Sequence, residues 1–97
     1  MNVASRTEQI ETLTGKGRLR LSNRYAMVDY VIRVSQEFVG TTPTLKSATG
    51  GLNLPHNDVL FAMMDQKPLD LELHDGRNAS ILFTAANGNF TVTGPID

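Results

Sequence analysis

Ninety-seven residues with a net charge of −1 and no Cys fit a single domain and exclude a disulfide framework, a thiolate nucleophile and Cys-ligated zinc. Forty per cent hydrophobic and twenty per cent charged residues describe an ordinary globular chain, neither disordered nor fibrous. No window is long and apolar enough to cross a bilayer, and the first six residues carry no apolar signal core, so the expected setting is the cytoplasm, with no membrane partner.

Charge is divided unevenly along the chain. Through Thr49 there are seven Lys or Arg against four Asp or Glu, and from Gly50 onward two against six. Basic and acidic strands lying side by side in one sheet explain this most simply, because opposite-charge cross-strand pairs stabilise modestly.

The first fourteen residues admit three readings. Ser5-Arg6-Thr7-Glu8 has capping-box spacing, with Ile10 and Leu13 at helical separation, which suits a short helix. Glu8 to Thr14 also suits an extra strand with polar residues outward, and the segment suits a flexible arm. Gly15-Lys16-Gly17 reads as a turn. Arg18-Leu19-Arg20-Leu21 then alternates, with the leucines inward. Asn23-Arg24 connects it to a long strand, Tyr25 to Phe38, whose inward face carries Ala26, Val28, Tyr30, Ile32 and Val34. Met27, Asp29, Val31 and Arg33 fall on the opposite face.

Val39 to Pro43 reads as a loop, Thr44 to Ala48 as a short edge strand, and Gly50-Gly51 as a break before Leu52-Asn53-Leu54. Pro55 suits a helix start, and Val59, Leu60, Met63 and Met64 place one or two helical turns between His56 or Asn57 and Asp65. Leu69, Leu71 and Leu73 alternate with Asp70, Glu72 and His74, and Asp75-Gly76 supplies a hairpin turn. Ala79 to Ala85, the Asn87-Gly88 turn and Phe90 to Thr93 complete the pattern. The expectation is an all-β domain over residues 1–97: a small barrel or strongly curved antiparallel sheet of six or seven strands, with one short helix across one end.

The chemistry is sparse. No nucleophile elbow, P-loop or dinucleotide fingerprint is present, so the chain is expected to be neither an enzyme nor a holder of a cofactor. His56, Asp58, Asp70 and Glu72 are the only groups that suggest a metal or small-molecule site, and their spacing offers no compact ligand set. His74 reads as a surface residue beside a turn. Lys16, Arg18, Arg20 and Arg24, with Tyr25 at their end, form a basic strand of the kind that follows a phosphate backbone. Met27 and Val31 on the outer face of the long strand, with Phe61 and Met64 on the helix, offer apolar contact area at which Met adapts to a partner. The leading expectation is a protein-interaction or self-assembly module, most simply a dimer, joined along an exposed strand edge. A nucleic-acid-binding barrel stands second and a metal or small-molecule domain third.

Overall fold

The computed structural model describes residues 4–97. Six strands and one helix follow in chain order: β1 Ser5–Arg20, β2 Tyr25–Val39, β3 Thr42–Leu52, α1 His56–Asp65, β4 Leu69–Glu72, β5 Asn78–Phe83 and β6 Asn89–Val92. They close into a barrel in the order β1-β2-β3-β6-β5-β4, and every pairing is antiparallel. The mainly β barrel with one short helix is therefore present, with six strands and not seven.

Period-two alternation sets which side chains the barrel encloses. Leu19, Ala26, Val28, Tyr30, Ile32, Leu71, Leu73, Ile81, Phe83 and Phe90 are all buried. Their alternate neighbours Arg18, Arg20, Met27, Asp29 and Asp70 are exposed, as a sheet with one wet face requires. Val59 of α1 is fully buried against this core, and Ala62 and Met63 are partly buried beside it, while Leu60, Phe61 and Met64 face outward. Pro55 stands at the N-cap of the helix, and Gln66, in the left-handed region at φ 52°, ends it.

One open choice is settled and three local expectations are corrected. Of the three readings of the segment before Gly15 the extra strand stands, and it is longer than expected: from Ser5 it is strand, paired with β2 throughout except for a bulge at Ile10. The helical spacing of Ile10 and Leu13 loses to this cross-strand pairing; the part of the segment before Ala4 lies outside the described residues. Gly15-Lys16-Gly17 is not a turn, since β1 runs straight through it. Gly50-Gly51 is likewise interior to β3 and joins two expected pieces into one strand. The loop expected at 39–43 contracts to a tight Gly40-Thr41 turn, with Gly40 at φ 65° and Pro43 already within β3.

The glycines sit inside strands because other groups approach them. A Cβ on Gly17 would stand 2.6 Å from the Glu72 carbonyl oxygen and 3.1 Å from the Tyr30 ring. One on Gly15 would stand 2.9 Å from His74 Nδ1 and 3.2 Å from Tyr30 Oη. Glycine within a strand marks such close approach as readily as it marks a turn.

The barrel is short and three of its strands are long. β1, β2 and β3 continue past it as a three-stranded arm, giving the molecule extents of 53 × 28 × 17 Å and a radius of gyration of 14.8 Å. A compact chain of this length would have a radius of roughly 12–13 Å. In the arm, residues 4–12 and 42–47 are exposed, and Gln36 is its only buried side chain among the described residues. Gln36 Nε2 donates to the carbonyls of Glu37 and Leu45 across a bulge between β2 and β3. Arg6 caps the arm's tip, its guanidinium 4.6 Å over the Phe38 ring and donating to the Gly40 carbonyl.

Candidate functional site

The basic residues of β1 share the outer face of the barrel with acids from its neighbours. β1 meets β4 at Arg18↔Glu72 and Leu19↔Leu71, and Arg18 Nη2 lies 3.2 Å from Glu72 Oε1 while its guanidinium covers the Tyr25 ring. Arg24 Nη2 lies 3.0 Å from Asp58 Oδ2 at the start of α1. Lys16 stands opposite Asp29 in the β1–β2 register. Asp29 is itself tied to Asn53, whose Oδ1 accepts the Asp29 N–H and whose Nδ2 donates to the carboxylate. Thus Lys16, Arg18, Arg20, Arg24 and Tyr25 do lie along one side of the barrel, but interleaved with Asp29, Asp58, Asp70 and Glu72. That mixture weakens the field a phosphate backbone would meet.

The residues of the suggested metal site are not brought together. Asp58 and Glu72 are each engaged by an arginine, and among the described residues no three His, Asp or Glu side chains gather as a ligand set. His74 does more than decorate a turn. Its backbone N–H donates to Tyr30 Oη at 3.2 Å, and Oη lies 3.1 Å from His74 Nδ1. Oη thus accepts the backbone N–H and shares a second hydrogen bond with the imidazole, so the buried hydroxyl of a core tyrosine is satisfied from both sides. Removing that hydroxyl as Tyr30→Phe is expected to lower stability by about 1 kcal/mol, read as a lower urea midpoint at unchanged slope. The turn beyond it is held by Asp75, which accepts the Arg77 N–H and its Nε. That backbone hydrogen bond outweighs the partial desolvation of the carboxyl and, with the guanidinium, holds Asp75 below the ordinary carboxylate range.

Of the apolar candidates, Phe61 and Met64 line an open groove of about 710 Å³ between α1 and the β1–β2 turn. Arg20, Arg24, Asp58, Asp65, Lys67 and Asp70 line it as well, so its rim carries both signs of charge. Met27 and Val31 are not part of this groove. They lie on the outer face of β2, with Met27 70 % exposed beside Arg18 and Val31 half-buried between Thr14 and Gly51. The four residues therefore form two separate patches on different elements.

A third feature was not pinned to residues by the sequence: the open edges of the arm. β1 has β4 on its far side only at Arg18 and Leu19, and β3 has β6 only at Thr49–Gly51. Among the described residues, Ser5–Thr14 of β1 and Thr42–Ala48 of β3 have no strand beyond them, whereas Glu72 and His74 pass beside Gly17 and Gly15. The two edges are not equivalent. β3 carries Pro43, which lacks an N–H and so discourages strand addition, whereas β1 has no proline. Comparison of the chain with models of known protein families, with curated proteins and with solved structures finds no match in any of the three.

Proposed function

We propose that this chain is a non-catalytic protein-interaction module that takes up a partner strand along the open edge of β1. One observation carries the reading: a strand of sixteen residues offers unpaired backbone groups over most of its length, on an arm whose two outer strands are exposed. Ordering each arm residue costs about 1–2 kcal/mol of backbone entropy, and the arm encloses almost nothing to offset it. A partner strand would supply both hydrogen bonds and buried area, the standard economy of strand addition. Val31, at the root of the arm, and Met27, farther along on the barrel wall beside Arg18, are the side chains that extend such an interface onto the barrel.

The test is a photo-crosslinking residue placed at Thr7 in the arm, compared with one at Thr84 beside β6, in the cells that make the protein. Protein adducts from position 7 and none from 84 support the reading; no protein adduct from position 7 rejects it. The nucleic-acid reading has its own support in Arg18 stacked on Tyr25. It requires nuclease-sensitive adducts from a probe at Arg20, and binding that weakens steeply with salt.

A further inference from the structure

We infer that the strand taken up by β1 is the β1 of a second copy of the chain, paired antiparallel about a two-fold axis through Thr7. This rests on the strand-edge reading above and names its partner. The backbone sets the first condition. The Gly40 N–H donates to the Ala4 carbonyl, so Ala4 turns its hydrogen-bonding groups toward β2. Alternation in an antiparallel ladder then turns those of Ser5, Thr7 and Gln9 outward. A two-fold through Thr7 matches Thr7 with Thr7, Ser5 with Gln9 and Gln9 with Ser5 of the second copy, so each outward-facing residue meets another.

Charge sets the second condition. Arg6 and Glu8 lie on one face of β1, 3.1 Å apart within the chain. In the pairing about Thr7, Arg6 of each copy stands opposite Glu8 of the other, and the two intrachain pairs merge into a four-membered network. Centring the axis one residue earlier sets Arg6 against Arg6, and one residue later sets Glu8 against Glu8, both destabilising cross-strand neighbours. Only the middle register opposes unlike charges, and it also opposes Thr to Thr, a favourable pair. The bulge at Ile10 limits the paired segment to Ala4–Ile10. The product is one continuous six-stranded sheet, ordered β3-β2-β1-β1-β2-β3, with a barrel at each end.

Sedimentation velocity over a concentration series tests this directly. The wild type is expected to approach twice its monomer mass of 10.6 kDa. Thr7→Pro removes an outward N–H and leaves the β1–β2 ladder intact; it should raise the dimer dissociation constant by more than about tenfold. Thr12→Pro, beyond the paired segment, should leave the constant unchanged. The charge exchange Arg6→Glu with Glu8→Arg should still pair with itself, but not with the wild type, because mixed dimers set like charges opposite. Amide spectra of each variant show whether the barrel is folded. A wild type that stays monomeric to about 1 mM, or a dimer indifferent to both Thr7→Pro and the charge exchange, overturns the inference. Either result leaves the strand-edge reading standing if position 7 still crosslinks to another protein.

Discussion

Phe90→Ala is expected to lower the stability of the barrel by about 3–5 kcal/mol, a large share of the roughly 5–15 kcal/mol that domains of this size possess. Phe90 is the largest of the fully buried side chains. It comes from β6, where it faces Gly50 of β3 on one side and Phe83 of β5 on the other. It therefore stands at the seam where the β1–β2–β3 meander is joined to β4–β5–β6. Truncation removes transfer free energy and leaves a cavity that three hydrogen-bonded strands cannot collapse to fill. Urea unfolding followed by circular dichroism reads the loss as a lower midpoint. A midpoint shift corresponding to less than about 1 kcal/mol would mean that the seam is loosely packed.

Gly50→Ala is expected to be comparably damaging although it adds only one methyl group. Its Cβ would fall on the Val31 carbonyl oxygen and within 2.9 Å of Phe90 Cζ, and backbone cannot swing aside as the end of a flexible side chain can. Replacing Gly by Ala also restricts the unfolded chain, a stabilising effect of about 0.4–1 kcal/mol. Overpacking of about 3 kcal/mol exceeds it, so the net sign is destabilising. Gly51→Ala supplies the contrast, since its Cβ meets only Asn89 Oδ1, at 3.2 Å. Thermal unfolding of the pair should show a large drop for the first and a small change for the second. Equal drops would mean that loss of glycine at this point, not the specific approach of β2 and Phe90, governs the effect.

The legible parts of the fold were those with local causes. The Asn23-Arg24, Asp75-Gly76 and Asn87-Gly88 connections, the inward face of β2 from Ala26 to Val34, the leucine strand and the helix from His56 to Asp65 all follow from turn chemistry and hydrophobic period. Most of the misread parts were glycines. Gly15, Gly17, Gly50 and Gly51 look like punctuation in a linear reading, because nothing local shows that Glu72, His74, Val31, Phe90 or Asn89 will pass beside them. The candidate site divides in the same way. The outward direction of Arg18, Arg20 and Met27 was readable from alternation, as was the prospect of acids beside the basic strand. Which acid meets which base was not.

Alternation, turn residues and a modest apolar content determined from the sequence alone that this is a small antiparallel β domain, and which side chains its core receives. The reason is that each of these signals acts over a few residues, through backbone sterics and the side-chain period. Tertiary structure alone decided that β1–β3 outgrow the barrel, that Arg18 and Arg24 are matched by Glu72 and Asp58, and that β1 keeps an open edge from Ser5 to Thr14. An open edge is defined by the strand that is not beside it. That depends on barrel closure by residues more than fifty positions away, such as Glu72 opposite Arg18.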